Sequence, residues 1–90
     1  MGAVAQAITR KLSDAFSPSR LEVTDDSERH AGHSGARPGG ESHFTVVIQS
    51  AAFAGVSRIQ RQRSVHAILT EELAGPVHAL SLRALAPGEA

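Results

Sequence analysis

The 90-residue sequence contains no cysteine, no tryptophan and no tyrosine, and it has only three phenylalanines. Without cysteine the chain forms no disulfide and offers no thiolate chemistry. The shortage of aromatic rings leaves little on which nucleic-acid bases could stack. Nine basic and nine acidic residues give a net charge of zero, which argues against a broad nucleic-acid-binding surface but leaves a local basic patch open.

No stretch approaches the ~20 apolar residues that a membrane-spanning helix needs. The apolar run at residues 3–7 is too short for a signal peptide and continues into Thr9-Arg10-Lys11, so we expect a cytoplasmic protein without a membrane partner. The length suits one domain and leaves no room for a second core. We therefore expect a single domain over residues 1–90.

The spacing of apolar residues predicts five elements in the order helix, strand, strand, helix, strand. The first helix should end at Ser17-Pro18, because the residue before a proline disfavours helical angles. Alternation predicts strands at 21–24, 43–49 and 77–82, and a capping box of Ser57 with Gln60 predicts the start of a second helix that Gly75-Pro76 ends. The residues assigned to the apolar sides of the two helices are Val4, Ile8, Leu12, Ala15 or Phe16, Ile59, Val65, Ile68, Leu69 and Leu73.

This order predicts an α+β (α/β) fold with a three-stranded mixed sheet and both helices packed on one face. Strands two and three are joined through a helix and should be parallel, whereas strands one and two should be antiparallel. Glycine, proline and charged residues dominate 28–41, which predicts a long loop, and such loops in a small domain are usually functional or mobile. Pro87 and Gly88 predict a flexible tail over residues 86–90.

The predicted topology brings most of the histidines to one end of the molecule. Parallel neighbours begin at the same end of a sheet, so His43 and His78 should lie together, with the loop histidines His30 and His33 nearby. Imidazole binds zinc, copper and iron. Histidines without cysteine form an incomplete set of ligands, which suits a site that a partner completes.

Structural interpretations of the same histidines remain open. His78 shares strand parity with Leu80, which favours a partly buried, hydrogen-bonded role, whereas His43 shares parity with Thr45 on the open face and should be exposed. The loop histidines would then be solvated, and His66 would pack at the margin of the second helix. A zinc site on the clustered histidines is chemically open, but structural zinc usually takes more closely spaced ligands and often cysteine.

Several short stretches keep a characteristic order and spacing along nearly the whole chain. They are Lys11-Leu12, Ala15-Phe16-Ser17-Pro18, Leu21-Glu22-Val23, Asp26-Ser27, Arg29-His30, Gly40-Glu41-Ser42-His43-Phe44, Phe53-Ala54-Gly55-Val56-Ser57-Arg58-Ile59-Gln60-Arg61-Gln62-Arg63-Ser64-Val65, Thr70-Glu71-Glu72-Leu73 and Val77-His78-Ala79-Leu80-Ser81-Leu82. Taken together, they resemble the BolA-like family. The resemblance implies an α-β-β-α-β core similar to the class II KH fold, in agreement with the predicted element order.

The resemblance also implies a function. BolA-like proteins are partners of monothiol glutaredoxins, and a [2Fe-2S] cluster is shared between the two proteins, with thiolates from glutaredoxin and from a bound glutathione. Carried onto this sequence, His78 is the ligand on the last strand and His30 the ligand from the loop, with His33 as a nearby substitute. The resemblance implies cluster trafficking or iron and redox regulation rather than enzymatic catalysis. The isolated protein would then carry no cofactor and be a monomer or a weak homodimer.

Family members are also described as DNA-binding transcriptional regulators, which gives an alternative function. The candidate contacts are Arg58, Arg61 and Arg63 at the start of the second helix, because phosphates are drawn to arginines and to helix N-termini. The same arginines could instead contact an acidic or glutathione-bearing surface of the glutaredoxin. The family's Arg-His-Arg is Arg61-Gln62-Arg63 here, and Gly55 is not followed by the second glycine of a nucleic-acid-binding KH loop.

An enzymatic function finds little support in the sequence. No nucleophile lies beside a base at a recognisable spacing. Ser42 and His43 are adjacent, but adjacent side chains of a strand point to opposite faces.

Overall fold

The computed structural model describes residues 2–26 and 41–90. Its elements are α1 (Ala3–Phe16), β1 (Arg20–Asp25), β2 (His43–Gln49), a 3₁₀ turn (Ala51–Phe53), α2 (Arg58–Ile68), α3 (Thr70–Ala74) and β3 (Ala79–Leu85). The strands form a mixed sheet in the order β1-β2-β3, in which β1 and β2 are antiparallel and β2 and β3 are parallel. The predicted strand directions are confirmed, and β2 lies at the centre.

Helix α1 packs on the sheet through a narrow apolar stripe. Ile8 and Leu12 are completely buried, while Ala15 is exposed and Phe16 lies at the margin of the core. The predicted end of the helix is confirmed, since Ser17 adopts a left-handed conformation (φ 44°). Its N–H donates to the Ser13 carbonyl at 3.0 Å, which satisfies one of the carbonyls that a helix end leaves free.

Strand β2 contributes three side chains to the buried core. Phe44, Val46 and Ile48 are at most 2% exposed, and the residues that alternate with them are less buried. Val65 and Leu69, from the α2 region, join the same buried cluster. The alternation therefore identified the inner face of the sheet correctly, because successive side chains of a strand lie on opposite faces.

The sequence predicts a single second helix, but the structure divides it in two at Leu69. Leu69 has φ −100° and ψ 22°, and its N–H is shared between the carbonyls of Val65 and His66 at 3.1 and 3.2 Å. The Thr70 hydroxyl donates to the Ala67 carbonyl at 2.8 Å.

The buried side of α2 also differs from the prediction. Ile59, which the sequence assigned to the core, is 63% exposed, and Ile68 is 37% exposed. Arg61, by contrast, is 7% exposed and shares the buried side with Val65. The predicted start of the helix is confirmed, since Ser57 Oγ accepts from the Gln60 N–H at 3.2 Å.

Strand β3 begins two residues later than predicted and continues to Leu85. Residues 86–90, which the sequence predicted as a flexible tail, are attached to the sheet. The Gln49 side chain donates to the Ala86 and Glu89 carbonyls, both at 2.9 Å. The Glu89 N–H donates to the Ala86 carbonyl at 3.1 Å, and Gly88 has φ 86°. Pro87 and Gly88 thus form a tight turn with proline and glycine in their preferred places.

Within the described ranges, no helix combines the length and the apolar character that crossing a membrane requires.

Candidate functional site

The parallel pairing of β2 and β3 places two histidines side by side. His43 is in register with Ala79, and the His78 N–H donates to the Ser42 carbonyl at 2.8 Å. The two imidazole rings are stacked, with centroids 6.4 Å apart and planes inclined by 30°. We call this end of the sheet, defined by His43 and His78, the histidine end. The predicted meeting of these two histidines is confirmed.

The side chain of His78 is exposed, so the structural interpretation that buried it is wrong. The reason lies in the strand boundary. Because β3 begins at Ala79, the alternation that directs Leu80 towards the core does not extend to His78. An exposed imidazole is accessible to a metal centre held by another molecule.

His43 behaves in the opposite way and is only 9% exposed, although strand parity predicted an exposed side chain. Parity indicates the face of the sheet but not what covers that face. The Ser42 hydroxyl lies 2.8 Å from His43 Nδ1, although adjacent side chains of a strand point to opposite faces. It forms because Ser42 precedes β2. Since Ser42 is completely buried, its hydroxyl is shielded from any substrate.

Glu41 anchors the histidine end and was missed as a site residue. Its carboxylate Oε2 accepts from the N–H groups of Val4 and Ala5 at 2.9 and 3.0 Å, and so caps the N-terminus of α1. A negative group is favoured there by the free N–H groups and by the helix dipole. Gly2 lies directly beside it, and a Cβ at Gly2 would displace the Glu41 carboxylate from its present position. A partner 36 residues away in sequence leaves no local signal.

Both chain segments that flank residues 27–40 are attached at the same end. The Asp26 N–H donates to the His43 carbonyl at 2.8 Å, and the Glu41 N–H donates to Asp25 Oδ2 at 3.1 Å. Asp26 also accepts a hydrogen bond from the hydroxyl of Thr45. The intervening segment therefore leaves and re-enters the described structure beside the stacked histidines.

The loop ligands predicted from the resemblance, His30 and His33, lie outside the described residues. In residues 2–26 and 41–90, no three histidine, cysteine or acidic side chains are grouped so as to hold a metal ion. His78 and its neighbour His43 alone offer two imidazoles and no thiolate. This donor set fits a metal centre only when other molecules, or the loop histidines, provide the remaining ligands.

The three predicted arginine contacts have different environments. Arg58 and Arg63 are exposed, whereas Arg61 is engaged within the protein. Its guanidinium donates to the Val56 and Ala84 carbonyls at 2.8 and 3.0 Å and forms a bidentate pair with Glu89 at 2.6 and 3.2 Å. We call this opposite end of β3 the arginine end.

The hydrogen bond from Arg61 lowers the pKa of the Glu89 carboxyl to about 2, from an ordinary 4.5, and the Ala86 N–H adds to this shift. The same hydrogen bond raises the pKa of Arg61 above its usual range. Carboxylates that accept hydrogen bonds from cations and N–H groups are favoured in their charged form. Arg61 therefore anchors the end of the chain, and Arg58 and Arg63 are the exposed members of the set.

The three-stranded mixed sheet, with helices on one face and histidines where its parallel strands begin, places the protein in the α+β class. A family described as "BolA-like protein" matches residues 12–89. The chain is 47% identical over 89 residues to BolA-like protein 1 of Homo sapiens, covering 99% of this chain and 62% of that protein. It is 43% identical over 79 residues to the DNA-binding transcriptional regulator BolA of Escherichia coli, covering 88% and 71%.

The fold is shared with solved structures. The BolA domain of SufE1 from Arabidopsis thaliana superposes with a TM-score of 0.89 at 40% identity, covering 100% of this chain and 99% of that one. The chain belongs to the BolA-like family. It spans less than two thirds of the length of mammalian relatives such as the human protein, at 62%.

Proposed function

We propose that the protein is a non-enzymatic partner of a monothiol glutaredoxin and shares a [2Fe-2S] cluster with it. The observation that supports this proposal is the exposed imidazole of His78, stacked against the buried His43 at the start of two parallel strands. His78 would be one ligand from this chain, and a loop histidine would be the second.

The resemblance favours His30 as that second ligand, because Arg29-His30 is one of the matching stretches. His33 has no clear counterpart in the family and remains a substitute. Asp26, the last described residue before this segment, is attached to His43 through the 2.8 Å backbone hydrogen bond.

The chemistry of the ligands fits a cluster that is passed on or used as a signal. The chain has no cysteine, so the thiolates would come from glutaredoxin and glutathione. Replacing thiolates by neutral imidazoles removes negative charge from the cluster and raises its potential, as in Rieske centres. We therefore propose a role in cluster trafficking or in iron and redox regulation.

The test is to mix the protein anaerobically with cluster-loaded monothiol glutaredoxin and glutathione, and to record visible absorption and circular dichroism. We expect a new chiral spectrum at one-to-one stoichiometry, which His78→Ala abolishes and His78→Cys restores in altered form, because thiolate also ligates the cluster. Ser81→Ala, an exposed change on the same strand, is the control. A normal spectrum in His78→Ala would exclude His78 as a ligand.

The two loop histidines can be distinguished in the same assay. His30→Ala should weaken or shift the spectrum more than His33→Ala does. The reverse ranking would assign the loop ligand to His33.

A second candidate function is DNA binding by Arg58 and Arg63, the exposed arginines of α2. It is favoured by the Escherichia coli relative, which is named a DNA-binding transcriptional regulator. Replacing both arginines by alanine should then weaken DNA binding and flatten its dependence on salt, since each phosphate contact releases counterions. Undetectable binding by the unmodified protein at moderate salt would exclude this function.

A further inference from the structure

A groove lies at the arginine end, away from the histidine end of β3. Its volume is about 540 Å³, and its walls are residues 82–85 of β3, the α2 side chains Arg58 and Gln62, and residues 89–90. Its apolar lining residues are Leu82, Ala84 and Leu85, and its charged lining residues are Arg58, Arg83 and Glu89. The groove contains none of the residues assigned to the cluster.

The wall formed by β3 is a sheet edge. Among the described strands β3 pairs only with β2. The Leu85 carbonyl faces β2, since it accepts from the Ser50 N–H at 3.0 Å, while the Ala84 carbonyl points the other way and accepts from Arg61 at 3.0 Å. Backbone groups alternate in direction along a strand, so those of Leu80 and Leu82 face the open edge.

Two exposed arginines line the groove together with Glu89. Arg58 and Arg83 are both exposed, and the charge of Arg58 contributes to the low pKa of Glu89. The chain's own Glu89 carboxylate lies in the groove wall, held by Arg61 at 2.6 Å and by the Ala86 N–H at 2.8 Å. Arg83 donates to the Ala90 carbonyl. Carboxylate and carbonyl oxygens are therefore the groups that this wall already binds.

We propose that this groove binds an extended acidic segment of a partner protein. The segment adds a strand to the open edge of β3, pairs its backbone with Leu80 and Leu82, and places its carboxylates against Arg58 and Arg83. Strand addition of this kind takes its affinity from main-chain hydrogen bonds and its selectivity from the flanking side chains.

Three features favour a peptide over a nucleic acid. Only a polypeptide can pair with the backbone of a strand edge. Apolar side chains such as Leu82 line the wall, and none of the lining residues has an aromatic ring on which bases could stack. Glu89 would repel a continuous row of phosphates. Acidic side chains spaced along a peptide can instead avoid Glu89 and still reach Arg58 and Arg83.

The probe is a short, fluorescein-labelled peptide that alternates glutamate with valine, titrated with the full chain and followed by anisotropy. We expect saturable binding that is about tenfold weaker or more for a lysine–valine peptide of the same length, because like charges are juxtaposed. N-methylation of the peptide backbone should weaken binding similarly, since it removes the pairing groups. Equal binding of the lysine peptide or of the methylated peptide would overturn the proposal, as would no binding.

Variants of the protein make the test specific. Arg58→Glu with Arg83→Glu should weaken binding about tenfold or more, and the milder glutamine pair should give an intermediate loss. Arg10→Glu, an exposed arginine of α1 outside the groove, should have no effect. Unchanged binding in both groove variants would overturn the proposal.

Amide chemical shifts locate the peptide. The N–H groups of Leu80 and Leu82 should shift on binding, and those of Ser81 and Arg83, which face β2, should shift less. His78→Ala should leave binding intact, so a failure of the cluster proposal remains distinguishable from a failure of this one. A single-stranded oligonucleotide that competes better than the acidic peptide would assign the groove to nucleic acid instead.

Discussion

At the histidine end of β3 the side chain of His78 is exposed, whereas at the arginine end Arg61 is 7% exposed and its guanidinium has four internal hydrogen bonds. Both side chains were candidate contacts for a partner. The first remains accessible, and the second holds Glu89 and two backbone carbonyls in place. A residue type at a matching position therefore does not show by itself whether its polar groups are available to another molecule.

The two ends also differ in how they are held together. At the histidine end, the Glu41 carboxylate joins the N-terminus of α1 to the start of β2 through backbone N–H groups. At the arginine end, the Arg61–Glu89 pair joins α2 to the segment after β3. The first depends on a helix cap, and the second depends on a charge pair that responds to pH.

The largest expected effect concerns Leu69, the buried residue between α2 and α3. Leu69→Ala should lower the free energy of unfolding by about 2–5 kcal/mol, because it leaves a cavity in the core. Ile59→Ala should cost less than about 0.5 kcal/mol, because Ile59 is exposed. Urea unfolding compares the two variants. A larger cost for Ile59→Ala than for Leu69→Ala would mean that α2 packs with a face other than the one that buries Arg61. Arg61 would then no longer be the buried counterpart of the exposed His78.

Next comes the cap at the histidine end. Glu41→Ala should lower the free energy of unfolding by about 0.5–2 kcal/mol, because two N–H groups of α1 lose their acceptor. Glu41→Gln should cost less, since the amide oxygen still accepts hydrogen bonds. Thermal unfolding measures both losses. If alanine costs no more than glutamine, the hydrogen bonds of the cap are not what holds this end.

The Arg61–Glu89 pair at the arginine end should make the stability of the fold depend on pH. The pKa of Glu89 is about 2 in the folded protein and ordinarily 4.5, so the folded state binds the proton less readily than the unfolded state. Its stabilising contribution is fully present above about pH 4.5 and is lost as the pH falls towards about pH 2.

The measurement is the difference in melting temperature between the unmodified protein and Glu89→Gln. This difference should be largest near neutral pH and shrink between about pH 4.5 and pH 2. Because other carboxyl groups titrate in both proteins, the difference isolates Glu89. A difference that stays constant across this range would show that the pair does not stabilise the fold.

The smallest expected effect on stability is that of His78→Ala, below about 0.5 kcal/mol, because the side chain is exposed. An almost unchanged free energy of unfolding, together with loss of the cluster spectrum, would identify His78 as a ligand rather than a structural residue. Circular dichroism during thermal unfolding measures it. A loss of more than about 1 kcal/mol would assign His78 a structural role and remove the contrast with Arg61.

Much of the fold was predictable because it follows from local patterns. The alternation over 43–49 identified the inner face of β2, and Ser17-Pro18 marked the end of α1. The helix between strands two and three required them to be parallel, and this brought His43 beside His78. The break at Leu69 was not predictable, since the apolar spacing of Val65, Leu69 and Leu73 continues across it.

The sequence by itself determined the family, the strand directions and the meeting of His43 with His78, because each follows from periodicity, connection type or a matching motif. Only the tertiary structure decided that His78 is exposed and Arg61 is occupied. The reason is physical: exposure depends on what packs against a side chain, and the partners of Arg61 include a carboxylate 28 residues away. The same holds for Glu41, whose role depends on a helix end 36 residues distant.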